Sequence, residues 1–317
     1  MKIRRITDME YTVDAAFHGK TVKEFVYTRV GVSRSVLTSL KKKENGILLN
    51  GVKVTVRALL RENDRLTLAI DDDGDERTEK ILPVRLPLAI VYEDDQLLVA
   101  NKPSDMPTHP TRGHYEDTLA NAVTYYMQEK GSKNFVFRAV NRLDRDTSGL
   151  VLMAKNQLAC AKLSELLQSG GIEKTYLALL CGNLTRDEGR IEKPIRRTEK
   201  SIITRECCEQ GQGAYALTHY RVLARYDGYT LVCARPITGR THQLRVHFAN
   251  IGHPILGDTL YGSADPAMER QALHAVMLRF THPYTGEEMK IAAMPPRDML
   301  KHLKEFNLEE ILAVDKA

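Results

Sequence analysis

At 317 residues, with 43% apolar content and a formal charge of +5, the chain can form two domains with a sizeable core. Its mildly basic balance suits a nucleic-acid partner without requiring one. It has no run of about 18 apolar residues, which excludes a helical membrane span, and Met1-Lys2-Ile3-Arg4-Arg5 is not followed by the apolar stretch of a secretory leader.

The cysteines Cys160, Cys181, Cys207, Cys208 and Cys233 form no C-x-x-C pair. Neither a metal site nor a disulfide framework is expected, and a reducing cytoplasm is the default location. Thr21-Val22-Lys23-Glu24 is a capping box, and Val22, Phe25, Val26 and Val30 follow at helical spacing, with Gly31 as a stop. Ser33 can cap a second helix carrying Val36, Leu37 and Leu40. Asn50-Gly51 between Ile47-Leu48-Leu49 and Val52-Lys53-Val54 predicts a hairpin, and Leu66 to Ile70 a further strand. Two short helices and a hairpin over residues 12–70 resemble an S4-type RNA-binding domain. Arg34, Lys41, Lys42, Lys43 and Lys53 would then cluster for phosphate contacts. From charge alone they read as a solvated face.

Asp71-Asp72-Asp73-Gly74-Asp75-Glu76-Arg77 marks an acidic linker over residues 71–85, which RNA would repel. Beyond it, residues 86–306 read as a second domain rich in strands. Helices are expected from Asp117-Thr118-Leu119, from Gln157 to Gln168 with Gly170-Gly171 as stop, and from Pro296 to Phe306. Strands are expected at Phe135–Val140 and Leu150–Ala154, flanking a polar turn that ends Thr147-Ser148-Gly149. A strand pair, Tyr215 to Tyr226 and Tyr229 to Arg235, turns at Asp227-Gly228. The mixture predicts an α+β fold with a large, mostly antiparallel or mixed sheet.

The loop Asn141-Arg142-Leu143-Asp144-Arg145-Asp146-Thr147-Ser148-Gly149 sets a carboxylate between two arginines. Taken alone, it reads as a surface turn with an idle ion pair. It resembles, however, the R-L-D-x-x-T-S-G signature of the RluA family of RNA pseudouridine synthases. Three further stretches resemble that family in the expected order. Ile90-Val91-Tyr92-Glu93-Asp94-Asp95 runs through Asn101-Lys102-Pro103 to His109-Pro110. Lys174-Thr175-Tyr176-Leu177-Ala178-Leu179 follows. Thr238-Gly239-Arg240-Thr241-His242-Gln243-Leu244-Arg245-Val246-His247 continues to Ile251-Gly252-His253-Pro254-Ile255-Leu256-Gly257-Asp258. The resemblance covers about residues 86–300. Asn141 stands where many members have His.

The resemblance implies the pseudouridine synthase fold and a cofactor-free isomerase. The bond between uracil and ribose breaks, the base turns, and carbon 5 joins the same sugar carbon. No redox change is involved. Asp144 is the implied catalytic group, either attacking the anomeric carbon or removing a proton from the neighbouring sugar carbon. Arg245 is its implied cation, on a helix read as capped by Thr241; a neighbouring cation favours the ionised acid. Tyr176 is expected to stack on uracil and to move a proton at carbon 5; otherwise it is a core tyrosine. Arg142 is expected to fill the gap left by an extruded base, or to contact phosphate, and Leu244 to line the uracil pocket or the core. His247 and His253 read as structural or RNA-contacting, and Asp146 as capping its own turn. The expected partner is structured RNA: large-subunit ribosomal RNA first, because an S4-type domain joined to this catalytic domain resembles the ribosomal branch, and transfer RNA second. No membrane and no obligate protein partner are implied, and a monomer is expected. A non-catalytic ribosome-assembly factor is the alternative of a different class; Asp144, Tyr176 and Arg245 together argue against it.

Overall fold

The computed structural model describes residues 8–32, 34–69, 81–132, 135–199 and 201–303. The Ser33 cap, most of the acidic linker and residues 304–306 lie outside them; the helix expected over Pro296–Phe306 ends at Leu300, short of them.

The N-terminal unit comprises β1 (Asp8–Thr12), α1 (Val22–Phe25), α2 (Arg34–Lys42), β2 (Ile47–Leu49), β3 (Val52–Lys53) and β4 (Arg65–Ala69). Thr21 and Glu24 form the predicted capping box at α1. The helix then widens into a π-turn over Val26–Val30 before Gly31. Both turn residues of the hairpin have positive φ, Asn50 at 53° and Gly51 at 81°, as a two-residue turn matching strand twist demands. The sheet runs β1-β4-β2-β3. β1 begins at Asp8, ahead of the predicted start; its Asp-Met-Glu-Tyr-Thr sequence carries no strong strand pattern and is fixed by pairing with β4. Phe25, Leu37, Leu40, Leu66 and Leu68 fill the core of this unit. That core also takes in Leu158 and packs against Tyr284, both from the remainder of the chain.

The larger unit carries β5 (Ala89–Glu93), β6 (Leu97–Lys102), α3 (Leu119–Glu129), β7 (Ser148–Ala154), α4 (Gln157–Gln168), β8 (Ile172–Cys181), β9 (Glu188–Glu192), β10 (Ile195–Arg197), β11 (Arg205–Cys207), β12 (Leu217–Arg225), β13 (Tyr229–Pro236), α5 (Gln243–Asn250), β14 (Leu273–Thr281), β15 (Glu288–Ala292) and α6 (Arg297–Leu300). Nine strands form one sheet in the order β5-β6-β7-β14-β8-β13-β12-β9, with β15 on β14. Among these pairings only β7–β14 is parallel. The molecule is therefore α+β with a large mixed sheet. β7 is buried along its whole length because both faces are covered. Val151 and Met153 face one core, and Leu150, Leu152 and Ala154 face the other, against α4.

The segment 135–140, predicted as a strand, is only partly one. Val140 donates to the Leu152 carbonyl at 2.8 Å, while Ala154 donates to the Arg138 carbonyl at 2.9 Å. The pairing then ends because a side chain replaces the backbone. The Asn141 amide donates to the Leu150 carbonyl at 3.2 Å and accepts from the Leu152 N–H at 2.8 Å. Ser148 and Gly149, predicted as turn, belong to β7. Gly149 has φ 119°, and a Cβ there would lie 2.4 Å from the Ala275 carbonyl oxygen on β14. The glycine thus permits the close parallel contact rather than a turn.

Candidate active site

Asp144 sits on the loop between Asn141 and β7, and neighbouring elements fix that loop atom by atom. The Asn141 amide anchors its start on β7. Thr108 Oγ1 donates to the Leu143 carbonyl at 2.9 Å and accepts its N–H at 3.2 Å. Lys102, fully buried, donates to the carbonyls of Pro103, Met106 and Arg145 at 2.7, 2.7 and 2.9 Å. Arg270, itself paired with Asp298, donates to the Asp146 carbonyl at 3.0 Å. The Asp146 carboxylate does not cap the turn as expected; it pairs with Arg145 Nε at 3.0 Å, the nearer cation.

The Asp144 carboxylate faces a cavity of about 340 Å³. Arg142, Tyr176, Leu244 and Arg245 all line it, so the structure gathers the five residues expected at the reaction site, apart from the five cations expected on the N-terminal unit. Arg245 Nη1 lies 3.3 Å from Asp144 Oδ2. The rest of its guanidinium is gripped by Asp258, with Nε–Oδ2 and Nη2–Oδ1 both at 2.7 Å. Asp258 is fully buried and also accepts the N–H groups of Leu260 and Tyr261. Burial opposes the Arg245 charge, but the two carboxylates outweigh it and hold its pKa above the ordinary value. The result is a bidentate clamp behind the Asp144 carboxylate. Asp258 belongs to the same matching stretch as Arg245, yet its pairing across a turn cannot be read from spacing.

The capping expected of Thr241 does not occur. His242 occupies the N-cap of α5 in a left-handed conformation, φ 57°, with no side-chain cap. Gln243, the first residue of the helix, instead ties down the loop before it: its Oε1 accepts from the Arg240 N–H at 3.0 Å and from Thr238 Oγ1 at 2.7 Å. His242 Nε2 approaches Asp144 Oδ2 to 3.8 Å. Burial lowers its pKa, against the pull of the Asp144 charge.

Tyr176, on β8, is buried, and burial first, then the Asp144 charge, pushes its phenol well above the ordinary range. It is a neutral, apolar-walled ring at neutral pH. Leu244 is buried as well and packs into the main core, so it is both wall and core. Arg142 is exposed at the mouth of the cavity, where Lys174 and Arg240 add further positive charge. His247 is structural: it is fully buried between Thr218 Oγ1 at 2.9 Å and the Lys193 carbonyl at 3.0 Å. His253 bonds the Cys181 carbonyl.

The cations expected on the N-terminal unit divide. Arg34, Lys41, Lys42 and Lys53 are exposed. Lys43 is half-buried, and its ammonium donates to the Ala69 carbonyl of β4 at 3.1 Å.

Residues 96–250 match the family model described as RNA pseudouridylate synthase. The chain is 39% identical over 287 residues, 90% of its length, to a Bacillus subtilis protein called uncharacterized RNA pseudouridine synthase YjbO, of which it covers 99%. It is 39% identical over 280 residues, 82% of each chain, to ribosomal large subunit pseudouridine synthase D of Pasteurella multocida. Among solved structures, human RNA pseudouridylate synthase domain containing 1 superposes with a TM-score of 0.58 at 30% identity, over 73% of this chain and 95% of that one.

Proposed function

The chain belongs to the RNA pseudouridine synthases, and on that premise we propose that it isomerises uridines of large-subunit ribosomal RNA with Asp144 as the reacting group. The family makes it an enzyme, so a non-catalytic assembly factor is set aside. The observation that carries the assignment of Asp144 is its carboxylate facing the cavity with Arg245 clamped behind it by Asp258. A carboxylate so held can attack the anomeric carbon as uracil departs, or take a proton from the adjacent sugar carbon. The detached uracil is retained between Tyr176 and Leu244, rotates, and bonds through carbon 5. The proton lost from carbon 5 has to reach nitrogen 1, and the neutral Tyr176 phenol is suited to relay it. Since electrons are conserved within the nucleotide, no cofactor is called for.

The ribosomal substrate is supported by the likeness to large-subunit pseudouridine synthase D over 82% of each chain. On this reading residues 12–70 act as an S4-type RNA anchor through Arg34, Lys41, Lys42 and Lys53, with Lys43 tied to its own sheet. Residues 71–85 link it to a catalytic domain over 86–306, and the protein works as a monomer in the cytoplasm. Arg142, exposed at the mouth, fills the gap left when the target base is extruded.

The test is purified protein with unmodified ribosomal RNA and, separately, unmodified transfer RNA, without added cofactor. Pseudouridine should form in the large-subunit RNA, and Asp144→Asn should abolish it while leaving RNA affinity within about threefold. Full activity in Asp144→Asn overturns the role of the acid. Modification of transfer RNA alone overturns the substrate.

A further inference from the structure

The left-handed backbone of His242 aims its ring between two oxygens. Nδ1 lies 2.8 Å from the Tyr261 hydroxyl, and Nε2 lies 3.8 Å from Asp144 Oδ2. The Tyr261 hydroxyl already accepts the Arg205 N–H at 2.9 Å, and its own proton is available to donate to Nδ1. A neutral imidazole that accepts at Nδ1 must carry its proton on Nε2. Burial and the cations Arg245 and Arg205 favour that neutral ring, against Asp144 and Asp258. Non-glycine residues in left-handed conformation concentrate where a side chain must be aimed.

Arg245 Nη1 meets the same Oδ2 at 3.3 Å. Two donors therefore converge on one oxygen of Asp144, and among the described residues Oδ1 takes no hydrogen bond. We propose that His242 is a positioning residue: its Nε2–H, in the tautomer set by Tyr261, closes on Asp144 Oδ2 when the nucleotide fills the cavity, so that Oδ1 is the oxygen presented to the sugar. A gap of 3.8 Å is too long for a hydrogen bond, and such contacts tighten in the substrate complex. This rests on Asp144 being the reacting acid.

The experiment compares wild type, His242→Gln, His242→Ala and Tyr261→Phe, in single-turnover pseudouridine formation on unmodified large-subunit RNA and by imidazole nitrogen NMR. The wild-type spectrum should show His242 neutral with the proton on Nε2, a readout that needs no activity and stands even if Asp144→Asn proves active. His242→Ala should lose about 10- to 100-fold in single-turnover rate with RNA affinity unchanged. His242→Gln, which keeps a donor, should recover most of that loss. Tyr261→Phe should mix the tautomers and fall between. A proton on Nδ1 in wild type, or an alanine variant at full single-turnover rate with only RNA affinity altered, overturns the proposal. Melting curves identify any variant that has failed to fold, and the wild-type tautomer then decides.

Discussion

Asp258→Asn should separate the proposed catalytic acid, Asp144, from its support while keeping nearly every other contact. The asparagine Oδ1 can still accept the N–H groups of Leu260 and Tyr261, so the loop that carries Tyr261 is retained. What disappears is the charge opposite Arg245, a guanidinium only 9% exposed by its side chain against a fully buried acid. Removing one partner of such a pair costs about 3–5 kcal/mol, because the other charge stays buried. For a catalytic unit of this size, that corresponds to a fall in melting temperature of roughly 6–20 °C. Arg245 would swing toward Asp144 or solvent, and misplacement on the order of 1 Å at a reacting group costs about 100-fold in rate. The assay is thermal melting followed by circular dichroism, with pseudouridine formation measured below the transition. A double variant, Arg245→Met with Asp258→Asn, sharpens the reasoning: removing both charges while keeping the acceptor for the Leu260 and Tyr261 N–H groups should restore most of the stability and none of the activity. A single variant melting within about 2 °C of wild type with full turnover would refute the clamp.

Three further outcomes are expected. His274 is fully buried between Ser148 Oγ and the Ala293 carbonyl, and burial pushes its imidazole from 6.5 down to about 4. As pH falls from 6.5 towards 4 the unfolded chain takes up a proton that the folded one refuses, so stability is lost, by about 3 kcal/mol at pH 4; urea midpoints of His274→Gln should show a shallower loss than wild type, and parallel curves would count against this. Asn141→Ala strips the Leu150 carbonyl and the Leu152 N–H of their partner and should cost about 1–3 kcal/mol in denaturant titration, with RNA affinity unchanged; equal stability would mean that water replaces the amide. Arg142→Ala should slow modification of a structured RNA several-fold more than that of an unstructured oligonucleotide carrying the same uridine, and equal effects on both would remove the gap-filling role.

Local signals in the sequence translate well where local forces decide. The capping box at Thr21, the Asn50-Gly51 turn, the Asp227-Gly228 turn and α4 from Gln157 to Gln168 lie where composition and periodicity place them. Asp144 and Arg245 were within reach only through whole stretches resembling a family, since a carboxylate between arginines is ordinary surface chemistry. Long-range pairings stayed hidden. β1 exists because β4 offers an edge, and the strand expected before the loop is cut short because the Asn141 side chain takes over from its backbone. Asp258 and His242 stood inside quoted stretches, yet one needs a buried partner and the other a left-handed backbone to acquire its role, and neither condition leaves a mark in periodicity.

The N-terminal core closes around Leu158 of α4 and against Tyr284, whose ring also carries Lys162 Nζ at 4.3 Å from its centroid. The basic helix α2 and the Asp144 cavity consequently belong to one packed body. An RNA that grips α2 and offers a uridine to Asp144 must bridge a span the protein dictates. On the proposed role of α2, the position of a uridine in a folded RNA becomes a criterion for its modification beside the bases that flank it.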